Sequence, residues 1–394
     1  MSKEAYIVSS VRTAVAKAKK GAFRQTRPEM MGAAAIRGAI SKAGKIDEST
    51  LDDVLMGCAM PEGEQGLNMA RVIALRAGLP DVVSAATINR FCSSGLQTIA
   101  MASQSILAGH AESVIAGGVE SMTLVPMSGF HFAPDPYMVE HRPEIYIGMG
   151  ITAENVANKY GISRQDQDEF AYHSHKKAIE AIKAGKFKDE IIPMEVTANA
   201  YTEDGVKEQT FLFDTDEGPR ADTSIEALAG LRPAFNPRGT VTAGNASQMS
   251  DGAAATFVVS EAYLKAHNLK PIARLVGFAT AGVAPEIMGI GPIESIPKVL
   301  KQTGLNLQEI GLTELNEAFA SQSLAIIRHL NMDPDTVNVN GGAIALGHPL
   351  GCTGAKLTST LLHEMIRRNV RYGMCTMCIG GGMGASGIFE NLTL

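Results

Sequence analysis

Apolar positions in the first 118 residues fall into short blocks that switch between the period of a strand and the period of a helix. Glu4 to Ser9 reads as a strand, Glu29 to Ala43 as a helix ended by Gly44, and Asp53 to Gly57 as a short apolar strand. Asn68 to Ala77 predicts a second helix, stopped by Gly78 and Pro80. Thr87 to Asn89 ends a third strand, Ser94 to Ala108 forms a helix with no clear polar face, and Ser113 to Ala116 is a further strand. A helix without a polar face belongs in the interior. Regular alternation of strand and helix argues for parallel strands with crossover helices, an α/β layered architecture.

Between residues 119 and 248 this rhythm lapses. Met, Pro, His and Phe crowd Met122 to Tyr146, and two polar amphipathic helices follow. One starts at Thr152; the other runs from Ser163 to about Ala184, with Ser163 and Asp166 spaced as a helix cap. The stretch reads as an inserted domain, and insertions of that length commonly form binding sites or lids. From Pro271 the strand–helix order returns. Ser41 to Leu55 parallels Lys301 to Leu315, Ser321 to Leu330 answers the helix at Asn68, and Thr336 to Asn340 answers the strand before Cys92. The Gly341 to Gly351 turn and the helix Gly354 to Arg368 take the place of Cys92 and its helix, and Met374 to Ile379 answers Ser113 to Ala116. The chain thus divides into a first half, 1–118 completed by about 249–270, an insertion, 119–248, and a similar second half, 271–394. Ligands gather beyond the carboxyl ends of parallel strands. Two halves packed about a pseudo-twofold would therefore aim Cys92, His348, Asn316 and Cys378 into one cleft.

Composition narrows the function classes. The 394 residues are 45% apolar and 19% charged, with a net charge of −6, which gives no reason to expect nucleic acid or an anionic membrane as partner. No apolar run reaches the length of a membrane span, and Met1 to Val8 leads into a strand rather than a signal segment, so a cytoplasmic location is expected. Five dispersed cysteines do not resemble a disulfide framework and are expected to be free thiols.

Cys92 falls where strand gives way to helix, beside unpaired N–H groups and the positive end of the helix dipole, a setting that favours a thiolate nucleophile. The competing reading is a buried cysteine packing as a small hydrophobe. His348 lies in a loop rich in glycine and closed by Pro349, which can hold an imidazole rigidly near a ligand; a hydrogen-bonded loop histidine is the alternative. His173 and His175, on a helix in a charged stretch, are expected to be solvated. Cys375 and Cys378 have C-x-x-C spacing, but on a strand residues three apart face opposite sides, and no second ligand pair supports a metal. Cys378, followed by Gly380-Gly-Gly-Met-Gly, fits a second functional thiol beside an anion-stabilising turn. Asn316 ends a strand and either caps the next helix or serves the site. Neither glycine-rich loop has the order of a nucleotide cradle.

Cys92-Ser-Ser-Gly, Gly117-Gly-Val-Glu-Ser-Met, Val241-Thr-Ala-Gly-Asn-Ala-Ser247, Asn316-Glu-Ala-Phe, Gly341-Gly-Ala-Ile-Ala-Leu-Gly-His-Pro-Leu-Gly and Cys378-Ile-Gly-Gly-Gly-Met-Gly resemble, in order and over the whole chain, the motif set of the thiolases. The resemblance implies two duplicated βαβαβαββ halves packed as an α-β-α-β-α core, with an inserted loop domain that holds coenzyme A. It implies ping-pong acyl transfer. Cys92 would be acylated, His348 would be its base, and Cys378 would protonate the departing enolate with a pKa near neutrality. Asn316 would hold a water at the enolate oxygen, and the N–H groups of Cys92 and Gly380 would form a second oxyanion site. Ser247 is implied at the pantetheine, Arg220 near the nucleotide, and Phe319, Met149 and Met288 among the substrate contacts. Met127 and Met249 are further candidates for a soft apolar lining, with ordinary core packing as the alternative for all four methionines. Coenzyme A and acyl-coenzyme A are implied as substrates, with no metal and no tightly bound cofactor. A homodimer or homotetramer is expected, and association with other β-oxidation enzymes is compatible with it. Family members specific for acetoacetyl substrates usually carry His before Met-Gly where this chain has Gly148-Met149-Gly150, so the degradative branch is favoured over acetyl-coenzyme A acetyltransfer. A non-catalytic acyl-coenzyme A carrier and a redox protein using Cys375 and Cys378 stand as the other classes.

Overall fold

Strand Asp53–Gly57 shows how side chains are sorted into layers: Val54 and Met56 enter one apolar core and Leu55 another, as the two-residue period requires. The computed structural model describes residues 4–202 and 205–394. In chain order the principal elements are β1 (Ala5–Thr13), α1 (Pro28–Ala43), β2 (Asp53–Gly57), α2 (Met69–Arg76), β3 (Ser84–Ile88), α3 (Ser94–Ala108) and β4 (Ser113–Ser121). The middle section supplies α4 (Met149–Tyr160), α5 (Arg164–Lys183), β5 (Met194–Thr202) and β6 (Gly205–Phe213), and β7 (Ser250–Ser260) follows. The rest comprises β8 (Ala273–Gly282), α6 (Gly291–Thr303), β9 (Leu312–Leu315), α7 (Ala320–His329), α8 (Leu350–Arg368), β10 (Tyr372–Ile379) and β11 (Met383–Asn391).

The main path of the large sheet runs β3-β2-β4-β7-β1-β8-β11-β10-β9. It consists of two half-sheets that meet where Ile7 faces Ala273. In the first, β2 pairs in parallel with β3 and β4, while β4–β7 and β7–β1 are antiparallel. In the second, β9 and β10 are parallel, and β10–β11 and β11–β8 are antiparallel. The two orders coincide apart from one strand. The strand expected at Thr336–Asn340 is reduced to a single bridge between Thr313 and Val337 after a 3-10 turn at Pro334–Thr336. Asn338, with φ of 45°, is in the left-handed region, where a strand cannot continue. Its side-chain amide replaces the ladder: Leu315 N–H donates to Oδ1 at 2.8 Å and Nδ2 donates to the Leu315 carbonyl at 2.8 Å.

Three main cores fill the interfaces of the five layers, the central one reaching both half-sheets from the helices between them. Ile36, Ile73 and Phe257 belong to the core between α1, α2 and the first half-sheet. Leu96, Ile99, Leu357 and Leu361 fill the space between the half-sheets, occupied by α3 and α8. Ile296, Ile326 and Met374 lie under α6 and α7. Burying each such side chain is worth about 1.5–3 kcal/mol. The central helices touch through backbone: a Cβ on Gly95 would lie 2.6 Å from Ala355 N, and one on Gly354 would lie 2.3 Å from Leu96 N. This approach joins the starts of α3 and α8, so the residues just ahead of those starts, Cys92 and His348, are delivered to the same region.

The middle section carries the expected Ser163–Asp166 cap on α5 and a β5–β6 hairpin that the sequence pattern did not suggest. Buried Arg12 ties it to β1, with Nε 2.6 Å from Glu190 Oε1 and the two Nη atoms 2.7 and 2.8 Å from the Asp216 oxygens. Such a bidentate pair fixes orientation as well as distance. Among the described residues no helix is long and apolar enough to cross a membrane.

Candidate active site

Cys92 occupies the middle of a 3-10 turn, Phe91–Ser93, that feeds into α3. Asn89 shapes the turn, its Oδ1 accepting the Phe91 N–H at 2.9 Å and its Nδ2 donating to the Ala59 carbonyl at 3.0 Å. The Cys92 sulfur is buried and receives the N–H groups of Gly380 and of Cys92 itself. Its thiol is nevertheless pushed up to about 11, first by burial and also by the Glu120 carboxylate, against the pull of those two N–H groups. The helix start therefore does not produce the resting thiolate that its position suggested, because desolvation of the anion outweighs the dipole. Cys92 packs with Ala59, Met122 and Leu350. Leu350 is two residues beyond His348, so the histidine loop of the second half closes on the cysteine of the first.

His348 is buried, with Nδ1 2.6 Å from Thr353 Oγ1 and Nε2 3.3 Å from Asn316 Nδ2. Burial, with the charge of Lys356 added, pushes the imidazole down to about 3. Lys356 Nζ also donates to the Gly347 carbonyl at 3.3 Å. Gly347 has φ of 85°, and a Cβ there would lie 2.3 Å from Ser250 Oγ, so only glycine admits this approach to His348. Asn316 does not cap a helix, since α7 begins at Ala320. Its N–H donates to the Thr376 carbonyl at 3.0 Å, and Gln322 Nε2 donates to its carbonyl at 3.3 Å. The side chain is thereby turned to His348, and Asn316 Oδ1 is buried without a hydrogen-bond partner in the protein.

Cys378 lies at the end of β10, in a cluster with Met288, Ala318 and Phe319 against which Met149 packs. Cys375 projects from the other face into the central core, which removes the redox-pair reading. Burial and the adjacent Cys92 push the Cys378 thiol well up, not to the neutral value expected from its role, because no cation offsets the loss of solvent. Gly380 follows in the turn, where a Cβ would lie 3.7 Å from Met149 Sδ. Met127 and Met249 are exposed and stand outside this cluster.

The strip from Ala246 to Gln248 links two regions. Ala246 bridges to Phe319, and Ser247 N–H donates to the Ala318 carbonyl at 2.9 Å, beside the Cys378 cluster. Gln248 and Gly244 line a cavity of about 330 Å³ shared with His175, Arg220, Leu231 and Ile344. His175 was expected in solvent; it is buried instead, its Nδ1 accepting the Arg220 N–H at 3.2 Å, and burial pushes it down to about 4. Buried Glu154 accepts from the N–H groups of Thr240 and Val241 and fixes the segment that leads into the strip.

Two carboxylates given no role by the sequence reading tie segments together, Glu120 joining the two halves and Glu317 joining the middle section to the second half. Glu120 accepts from Ala59 N at 2.8 Å, Met60 N at 3.3 Å, Gln65 Nε2 at 2.7 Å and, across the interface, Gly351 N at 2.8 Å. Glu317 accepts from Ser174 Oγ at 2.6 Å, Asn338 Nδ2 at 2.9 Å and Ile344 N at 3.2 Å. Both flank residues of the site, but only the fold reveals which N–H groups they gather.

Comparison with known proteins identifies the family. The thiolase N-terminal domain family matches residues 5–262, and the thiolase C-terminal domain family matches residues 269–391. The 3-ketoacyl-CoA thiolase of Bacillus subtilis (strain 168) is 56% identical over 389 residues, covering 98% of this chain and 99% of that protein. The acetyl-CoA acetyltransferase of Escherichia coli (strain K12) is 45% identical, covering 99% of this chain and 100% of that protein. The human mitochondrial 3-ketoacyl-CoA thiolase crystal structure superposes with a TM-score of 0.88 at 40% identity, covering 99% of both chains. The chain belongs to the thiolase family.

Proposed function

We propose that this enzyme cleaves 3-ketoacyl-coenzyme A to acetyl-coenzyme A and a shortened acyl-coenzyme A through an acyl-Cys92 intermediate. The observation that carries the reading is the meeting of the halves at one sulfur: Cys92 receives the Gly380 N–H from the Cys378 turn and packs against Leu350 beside His348. In the first step His348 Nε2 accepts the Cys92 proton as sulfur attacks the 3-keto carbon, and the N–H groups of Cys92 and Gly380 take the developing oxyanion. A donor fixed in that position is worth about 3–4 kcal/mol of barrier. The bond between carbons 2 and 3 then breaks, its electron pair forming the enolate of acetyl-coenzyme A. His348 and a water on Asn316 face the enolate oxygen, and the Cys378 thiol delivers the proton to carbon. Coenzyme A then attacks the acyl-Cys92 thioester, its thiol proton passing to the Cys378 thiolate, and as the bond from the acyl carbon to Cys92 breaks, His348 returns its proton to the Cys92 sulfur.

The same reading places the pantetheine along Ser247 and the nucleotide near Arg220, with residues 119–248 as the unit that holds coenzyme A. Incubation with a 3-ketoacyl-coenzyme A followed by mass spectrometry is expected to give the shortened acyl group on the wild-type chain and none on Cys92→Ala. An adduct that persists in the variant removes Cys92 from the mechanism.

Chain-length preference has its own signal. The chain carries Gly148 rather than a histidine ahead of Met149, and Met149 and Met288 line the Cys378 cluster with deformable thioethers. A 3-ketodecanoyl substrate is therefore expected to be cleaved with kcat/KM at least equal to that for acetoacetyl-coenzyme A. Thiolysis confined to the acetoacetyl substrate would reassign the enzyme to acetyl-coenzyme A acetyltransfer.

A further inference from the structure

The side of His348 that faces away from Asn316 meets a group with no part in the reaction as derived. Thr353 is on the first turn of α8, fully buried, with Oγ1 2.6 Å from His348 Nδ1. The same oxygen donates to the Pro349 carbonyl at 2.9 Å, the usual bond of a helical threonine to the residue four positions back. A hydroxyl has one proton. Both contacts are hydrogen bonds only if the proton lies toward Pro349, whose carbonyl can only accept, and the oxygen presents a lone pair to Nδ1. Nδ1 therefore carries hydrogen.

The opposite side of the ring gives the same answer independently. Asn316 directs Nδ2, a donor, at His348 Nε2 from 3.3 Å, which requires a lone pair on Nε2. The reverse arrangement would need Nε2–H, a turned Asn316 amide and a Thr353 proton moved off Pro349, three changes at once in a buried site. We propose that Thr353 is the positioning residue that keeps the proton of neutral His348 on Nδ1, leaving Nε2 as the lone pair that accepts the Cys92 proton. The assignment rests on the acyl-transfer reading above. It also explains why helix and loop are built as one unit: Pro349 separates His348 from α8, and Thr353, one turn in, reaches back over it to the ring.

The test compares wild type, Thr353→Ser and Thr353→Val in the rate of Cys92 acylation and in steady-state cleavage. Valine keeps the shape and removes the acceptor, so the Nδ1–H loses its partner and the ring its preferred tautomer. For imidazoles bound to a metal, the outer partners that fix the tautomer are typically worth about 10- to 100-fold, and the same scale is expected for an imidazole acting as base. A fall of that size in kcat is expected for Thr353→Val, with KM changed by less than about twofold, and serine is expected to restore the rate to within about threefold. A Thr353→Val enzyme with wild-type kcat overturns the proposal. Should that variant fail to fold, ¹⁵N NMR of histidine-labelled wild-type protein decides, with the His348 signals identified by their absence in His348→Asn. A protonated Nδ1 with a bare Nε2 supports the assignment, and the opposite pattern overturns it. Wild-type protein that never carries an acyl group on Cys92 overturns the acyl-transfer reading and the base role with it, whereas an Nε2–H ring in an enzyme that acylates overturns the Thr353 assignment alone.

Discussion

Replacing Cys378 with alanine is expected to separate the two half-reactions. Cleavage of the carbon–carbon bond falls by about 10³-fold, within the range a positioned acid contributes, while exchange of labelled coenzyme A into acetyl-coenzyme A stays within about threefold of wild type. The asymmetry follows from where protons go. Acyl exchange forms and breaks only thioester bonds at Cys92, and the leaving thiolate can recover its proton from His348. Cleavage instead liberates a carbanion equivalent at carbon 2, which needs an acid on the far side of the acyl group. Burial and the neighbouring Cys92 hold the Cys378 thiol well above its usual range, so in the resting protein it is fully protonated, the form cleavage requires. The neighbouring Met288 and Phe319 are apolar and offer no alternative acid. Uptake of solvent deuterium into the methyl group of acetyl-coenzyme A should vanish in the same variant. Equal loss of exchange and cleavage would mean that Cys378 shapes the cleft and does not deliver a proton.

What could be read from the sequence divides along physical lines. Periodicity located β2 and α3 at the bounds the structure shows, Asp53–Gly57 and Ser94–Ala108, because both are buried elements whose composition has no competing demand. The duplication was legible for the same reason, since each half must bury the same pattern of faces. Thr336–Asn340 failed because one side chain, Asn338, substitutes for backbone pairing, and nothing in an apolar pattern announces a left-handed asparagine. Cys92, His348, Asn316 and Cys378 stood out through their glycine-rich or strand-end surroundings. Their protonation states did not, since those depend on burial: position alone argued for a thiolate at Cys92, and desolvation reverses it. Thr353, Glu120 and His175 were unremarkable as letters. Each acquires a role only from a partner that the fold presents: the His348 ring folded back over Pro349 for Thr353, and for Glu120 and His175 the Gly351 and Arg220 N–H groups of distant segments.

His348→Asn is expected to slow both acylation and cleavage by about 10⁴-fold, the upper end of what a positioned base contributes, and to change how Cys92 reactivity depends on pH. In the resting site His348 is pushed down to about 3 and Cys92 up to about 11, so between those values the pair is neutral imidazole and neutral thiol. This differs from sites that store a thiolate–imidazolium ion pair. The proton must then move as the sulfur attacks, and because His348 is already in its basic form throughout pH 6–8, the base-assisted rate should not change over that interval. Alkylation of Cys92 by iodoacetamide in the wild type should accordingly be flat from pH 6 to 8. Without the imidazole, only the free thiolate reacts, and below a thiol pKa of about 11 its fraction rises about tenfold per pH unit. His348→Asn should show that slope, starting from a much lower rate. A wild-type profile with an inflexion near 6.5, the ordinary range of a solvated histidine, would show that the ring titrates freely and that burial does not set the state of the base.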